Sequence, residues 1–413
     1  MDAHRTVEAV WRIEAGRVIA GLARLVRDVG LAEELAQDAL VAALEQWPRE
    51  GVPENPGGWL MATAKHKAID VVRRQARLAS KLPALAVAEA VEEVSDVDDF
   101  VGDDLLRLLF TACHPVLPAE SRVALTLRCL TGLTTEEIAR GFLVPQSTAA
   151  QRIVRAKRTL TDKKIEFELP TPAEAEAEQR LASVLETIFL LFNEGYAASA
   201  GADWTRPALC EEALRLGRIL AGLMPAQPEV HGLVALMEIQ ASRLAARLGP
   251  DGSPVLLADQ DRRRWDRLLI RRGLAALARA ESLSGERATG RGAYTMQAAI
   301  AACHARAVTF ADTDWVRIVA LYRELVRRWP SPVARLNLAV AVGMADGPAA
   351  GLALADQLAD EPALAGYPLL PAVRGELLAK LGRSAEAREQ FARAAEQTRN
   401  EREREIFRNR ALE

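Results

Sequence analysis

Residues 134–160 read TTEEIARGFLVPQSTAAQRIVRAKRTL. How this stretch is parsed decides the fold. Thr134 with Glu137 three residues on is a capping box, in which a hydroxyl and a carboxylate satisfy backbone N–H groups that the first turn of a helix leaves unbonded. Ile138, Ala139 and Phe142 then face inward at helical spacing. Gly141 to Pro145 reads as a turn, and Ser147 or Thr148 caps a second helix that carries Ile153, Val154 and Leu160 toward a core. The opposite face holds Gln151, Arg152, Arg155, Lys157 and Arg158. From 147 to 164 six basic residues, the last two being Lys163 and Lys164, stand against one acid, Asp162.

Two short helices, a tight turn and a basic second helix make the pattern of a helix-turn-helix. Its second helix enters the major groove with its N-terminal residues near base edges. Gln146, Ser147, Ala150 and Gln151 are expected nearest the bases, with Thr148 also on the DNA-binding helix and the small Ala149 and Ala150 permitting close approach. Arg152, Arg155, Lys157 and Arg158 are expected to bind DNA, Arg155 and Arg158 as phosphate contacts, each neutralised phosphate releasing counterions. A helical hairpin with a solvated basic face is the plainer reading; the agreement of cap, turn length and charge weighs against it.

Working outward, residues 119–130 read as a helix behind the breaks at Pro115 and Pro118. Residues 82–104 carry Glu89, Glu92, Glu93, Asp96, Asp98, Asp99, Asp103 and Asp104 and no Lys or Arg, as an acidic linker does. Before it, residues 59–74 read WLMATAKHKAIDVVRR, with Leu60, Ala64, Ala68 and Val71 as a packing stripe and Lys65, His66, Lys67, Arg73 and Arg74 as cations. On spacing alone this is a basic amphipathic helix. A helix over about 31–47 precedes it, then the turn-rich loop GVPENPGG. The first helix carries Val7, Val10, Trp11, Glu14, Val18 and Leu22.

Beyond LPTPAEAEAEQ at 169–179, residues 180–413 are nearly all helix-periodic. Turns at Asp312–Asp314, Asp346-Gly347-Pro348 and Leu381-Gly382-Arg383 lie about 34–36 residues apart, close to the tetratricopeptide period. Helix pairs of this kind cannot bury their apolar faces alone and stack into a solenoid.

Bulk properties agree with an all-α chain. The 413 residues are 50% hydrophobic but only 5% aromatic, and the net charge of −3 excludes a polybasic chain. The N-terminal residues lack the apolar core of a signal peptide, and no run of 18 apolar residues occurs, so a cytoplasmic protein is expected. No Gly-rich phosphate loop or nucleophile elbow points to an enzyme. Cys113, Cys129, Cys210 and Cys303 are scattered, unlike a disulfide framework. Cys113-His114 and Cys303-His304 are adjacent pairs, which diverge on a helix, so neither a metal nor another cofactor is expected.

Taken together, residues 1–165 resemble the extracytoplasmic-function (ECF) sigma factors of the sigma-70 family. Thr148, Arg152, Arg155, Ala156 and Lys157 match the family's second-helix pattern, from which Ala149 and Gln151 depart. Trp59, Leu60, Ala64, Asp70, Arg73 and Arg74 match its region-two signature, with His66 where an Asn is usual. The stretch DVGLAEELAQDALVAAL, Asp28 to Leu44, resembles the helix that docks on the polymerase clamp, with Asp28, Glu33, Glu34, Gln37 and Asp38 as its polar face. Residues 180–413, including Phe192-Asn-Glu-Gly-Tyr196, resemble the tetratricopeptide-like extension of one subgroup.

The resemblance implies an all-α protein in four parts: region two at 1–80, the acidic linker at 81–104, the region-four helix-turn-helix at 105–168 and the helical extension at 180–413. It implies core RNA polymerase and promoter DNA as partners. Trp59, Lys65, His66, Lys67, Asp70, Arg73 and Arg74 would meet the opened minus-ten element, and the region-four helix the minus-thirty-five element. The extension is expected to exert control through a regulatory protein or an intramolecular contact, and nothing points to a membrane. Two other readings compete: a dimeric helix-turn-helix regulator that acts without polymerase, and a tetratricopeptide scaffold with no affinity for DNA.

Overall fold

The computed structural model describes residues 3–79, 101–142, 144–170, 175–198, 201, 203–250, 253–285 and 290–413. Residues 81–100 of the acidic linker, with Asp96, Asp98 and Asp99, lie outside the described residues. Among those described, the regular structure is helical, eighteen α-helices in all. The chain divides into two compact units, Met1–Leu190 and Leu191–Glu413.

In the first unit, α1 (Ala3–Val26), α2 (Val29–Glu50) and α3 (Pro56–Ala79) pack on one another. Val7, Trp11, Ala15, Val18, Ile19 and Leu22 of α1 are buried, a full helical stripe. From the expected stripe, Val10 and Glu14 are only half-buried, because Ala15 and Ile19 take the inward positions. Asp28 caps α2, its carboxylate accepting from the Leu31 N–H at 2.8 Å. In α3, Leu60, Ala64 and Ala68 are buried; Trp59 sets its ring edge-on to Trp47, centroids 5.5 Å apart.

Four further helices follow: α4 (Val101–Ala112), α5 (Ala119–Leu130), α6 (Thr135–Phe142) and α7 (Gln146–Asp162). Asp103 and Asp104, read as the end of the linker, lie in the first turn of α4, where acids suit the helix dipole. The central helix α5 buries nine of its twelve residues between α4, α6, α7 and α1. Gly132 turns the chain after it at φ +69°, and a Cβ there would lie 2.9 Å from the Trp11 ring nitrogen. Both the turn and the close approach require glycine.

Helix α8 (Ala175–Tyr196) begins in the first unit, where Ser183 donates to the Cys113 carbonyl at 2.5 Å and Arg122 reaches Glu186 at 2.8 Å. In the second unit, α10 (Pro228–Ala241) is buried on nearly every side by α9 (Pro207–Leu223), α11 (Arg267–Gly285) and α12 (Ala293–Arg306). Its Glu229 bonds the Tyr294 and Thr295 N–H groups at the start of α12, at 2.8 and 3.1 Å. Then α13 (Trp315–Arg328), α14 (Pro332–Ala345), α15 (Pro348–Asp356), α16 (Leu369–Lys380), α17 (Ser384–Gln397) and α18 (Glu401–Leu412) each pack on the next. Helices flank all three turns read from the sequence, two of them made by Gly347 and Gly382 at positive φ. Asn400 ties α18 to the α8–α9 loop, its amide donating to the Ala198 and Asp203 carbonyls at 3.0 and 2.8 Å.

Candidate nucleic-acid interface

The capping box forms. The Thr134 N–H and hydroxyl both donate to Glu137 Oε2 at 2.9 Å, and the Glu137 N–H donates to Thr134 Oγ1 at 3.1 Å. Ile138 and Ala139 are buried and Phe142 half-buried. The second helix starts earlier than expected. Pro145 is its N-cap residue, with no side-chain cap, and Ser147 and Thr148 lie in the first turn. The fixed φ of proline suits a helix start, and the Pro145 carbonyl accepts from the Thr148 and Ala149 N–H groups at 2.9 and 3.2 Å.

Around α7 the faces separate at 100° per residue. Ala149, Ile153, Ala156 and Leu160 form the buried stripe. Ala149 therefore packs in the core and is not available for close approach to DNA. Val154, expected in the core, is 62% exposed, since it follows Ile153 by more than a quarter turn. Gln146, Ser147, Gln151, Arg155 and Arg158 are exposed, Thr148, Ala150 and Arg152 half-buried. The stripe Ser147, Gln151, Val154, Arg155 and Arg158 thus runs along one side of the helix. Val154 is the member that sequence reading missed. Its signal was the spacing of three and seven from Gln151 and Ser147.

Lys157 does not share this stripe. Its ammonium bonds the carboxylate of Glu33, whose other oxygen accepts from Arg128 Nε at 2.7 Å. Glu33 was expected on an exposed polar face of α2, but its side chain is only 5% exposed. Adjacent residues cannot share a helix face: Glu34 and Asp38 are exposed, while Glu33 turns inward between two cations and Gln37 is half-buried. Asp28 also faces α7, where the Thr161 hydroxyl donates to it at 3.0 Å. One carboxylate side of α2 is thus satisfied by α5 and α7. A cleft of about 660 Å³ opens beside this seam, rimmed by Arg24, Arg27, Arg107 and Lys164.

On α3, His66, Asp70 and Arg73 are exposed along one stripe. Lys65 is half-buried, and burial, with Arg24 nearby, lowers its pKa. Lys67 lies 3.5 Å from Asp38, a pairing between an expected DNA contact and an expected polymerase contact. The side chain of Arg74 is outside the described residues.

Near Cys113 and His114, the thiol contacts Thr126 Oγ1 at 3.3 Å and the imidazole Nδ1 accepts from the Val116 N–H at 3.1 Å. Among the described residues no helix is long and apolar enough to cross a membrane.

Comparison with known proteins gives three family matches. The family model for Sigma-70 region 2 matches residues 11–78, and that for Sigma-70, region 4 matches residues 107–160. A family of unknown function, DUF6596, matches residues 180–281. An uncharacterized protein of Rhizobium meliloti (strain 1021) is 43% identical over 383 residues, covering 92% of this chain and 88% of the relative. The probable ECF RNA polymerase sigma factor SigI of Mycobacterium tuberculosis (strain ATCC 25618 / H37Rv) is 25% identical over 169 residues, 40% of this chain and 58% of that protein. The ECF RNA polymerase sigma-E factor of Salmonella typhimurium (strain LT2) is 35% identical over 74 residues, 18% of this chain and 39% of that protein.

Proposed function

We propose how the parts are used, starting from the premise that this chain belongs to the sigma-70 family and is an RNA polymerase sigma factor of the ECF kind. Such a protein carries core RNA polymerase to promoter DNA and works in the cytoplasm. Helix α7 lies in the major groove of the upstream promoter element. Ser147 and Gln151 face base edges, Val154 meets a thymine methyl, and Arg155 and Arg158 hold phosphates on either side. The exposed side of α3, through His66, Asp70 and Arg73, meets the strand displaced at the start site. Glu34 and Asp38 of α2 face the polymerase clamp. Glu33 and Lys157, which neutralise each other, serve mainly to fasten α7 to α2. Residues 180–413 form a regulatory helical-repeat extension, with the linker that precedes Val101 joining the two DNA-binding parts.

The observation that carries this reading is the helix-turn-helix itself: a formed capping box, a proline-led second helix, and an exposed stripe that combines a hydroxyl, an amide, one branched methyl pair and two guanidinium groups. A dimeric regulator would use the same motif but needs no polymerase contact. The deciding experiment is co-purification of the full chain with core RNA polymerase, followed by transcription from a promoter selected by the holoenzyme. The wild type binds core and initiates. Glu34→Arg, a charge reversal at an exposed position, loses core binding while retaining the fold. Failure of the wild type to bind core would return the chain to the plain regulator.

A further inference from the structure

In the second unit three guanidinium groups are strung along aromatic rings. Arg247 Cζ lies 4.0 Å from the Tyr196 ring centroid and 5.5 Å from that of Trp204. Arg243 Cζ lies 5.7 Å from both the Tyr196 and the Trp265 rings, and Arg262 Cζ lies 4.8 Å from Trp265. Tyr196 closes α8; Arg243 and Arg247 follow α10; Arg262 and Trp265 precede α11. All belong to the second unit and fall within the 180–281 family match.

Neighbouring arginines of the same unit are paired with carboxylates. Arg206 bonds Glu194, and Arg218 and Arg272 share the buried Glu238 at 2.9 and 3.2 Å. Among the described residues, no carboxylate pairs with Arg243, Arg247 or Arg262. Arg262 is held by the carbonyls of His304 and Ala307, at 2.5 and 2.8 Å, and is structural. Arg243 donates to the Tyr196 hydroxyl at 2.6 Å and to Gln240. The Arg247 guanidinium makes no hydrogen bond among the described residues, and its buried Nε is unsatisfied, as are the indole nitrogens of Trp204 and Trp265.

Burial lowers the Arg243 pKa, and the Arg247 charge adds to that effect. Cation–π contacts offset part of the cost of burying these charges. They leave the repulsion among the three cations and the unsatisfied donors standing, and unpaired polar groups out of water are costly. An oxyanion removes both deficits. Guanidinium forks match phosphate oxygens bidentately, and an indole N–H is a natural third donor.

We propose that Arg243 and Arg247, set between Tyr196, Trp204 and Trp265, form a binding site for a phosphate-bearing small molecule. The site goes beyond the sigma-factor reading and is tested with neither polymerase nor DNA, so either can fail without the other.

The test is isothermal titration calorimetry of the full chain with inorganic phosphate and pyrophosphate, against sodium chloride at matched ionic strength. The expected result is saturable one-to-one binding, tighter for pyrophosphate. Arg247→Gln weakens it at least tenfold, and Arg247→Lys weakens it less, because it keeps the charge but loses the fork. Arg323→Gln, the same charge loss at an exposed helix position elsewhere in the unit, leaves binding within twofold. Circular dichroism verifies that each variant is folded. Heats no larger than those of the chloride control, with wild-type protein alone, overturn the proposal. So does equal weakening by Arg247→Gln and Arg323→Gln, which would mean non-specific charge.

Discussion

Lys157 and Arg158 are neighbours of the same charge, yet they do different work. Arg158 is exposed and, among the described residues, pairs only with Asp162 one turn on, at 3.3 Å, an interaction that adds little. Lys157 is 17% exposed and bound to a buried carboxylate. The same contrast separates Lys157 from Arg155. Arg155→Ala is expected to weaken promoter binding evenly across sequences and to lower the salt slope by about one, with the melting temperature unchanged. Lys157→Ala should lower the melting temperature and leave the slope nearly intact. Fluorescence anisotropy over a salt series, beside thermal unfolding, separates the two. Equal slopes for both variants would place Lys157 back on the DNA. In the sequence the two lysine and arginine positions look alike, because what distinguishes them is a partner more than a hundred residues away.

The helix-turn-helix was legible as an element because its determinants are local: a threonine and a glutamate three apart, a glycine and a proline bounding the turn, and apolar residues at helical spacing. The same locality misled at its edges. Ser147 and Thr148 have capping chemistry, but Pro145 starts the helix before them, and Val154 was assigned to the core by its apolar character when its angle puts it outside. On α2 the acidic residues were read as one face, although Glu33 and Glu34 point a quarter turn or more apart. The seam that Glu33 makes with Arg128 and Lys157, and the fit of Gly132 under Trp11, join segments far apart in the chain and leave no periodic trace. Glu33 can be tested as a fastener. Removing one partner from a buried ion pair leaves the others uncompensated, so Glu33→Ala should cost about 3–5 kcal/mol in urea unfolding of the full chain followed by tryptophan fluorescence. A loss below about 1 kcal/mol would mean that the two cations find water instead.

On the scale of the whole molecule, one buried histidine couples the stability of the second unit to acid. In the second, His304 packs edge-on to Trp315, centroids 5.2 Å apart, and burial, with Arg243 and Arg262 beside it, lowers its pKa from 6.5 to about 4. Unfolding releases the imidazole to bind a proton at higher pH, so the stability it contributes is present above pH 6.5 and is lost as pH falls toward 4. His304→Gln should flatten the decline of the second unit's unfolding midpoint across that window; an unchanged slope would assign the decline to other groups. The turns at 312–314, 346–348 and 381–383, each flanked by helices, were visible from their spacing, whereas the bond from Asn400 back to residues 198 and 203 was not, having no counterpart in period or composition. The cysteines carry one more consequence. Each unit encloses two of them, Cys113 and Cys129 in one, Cys210 and Cys303 in the other, all buried, and burial raises every thiol pKa, Cys113 to about 11 and Cys129 and Cys210 to about 12. At neutral pH they are shielded and almost wholly uncharged, and a thiolate is the species that reacts. Alkylation therefore becomes a clock for transient opening: in mild urea, mass spectrometry of the modified peptides should show two labelling rates, one shared by the first pair and another by the second, which times the breathing of each unit within the intact chain.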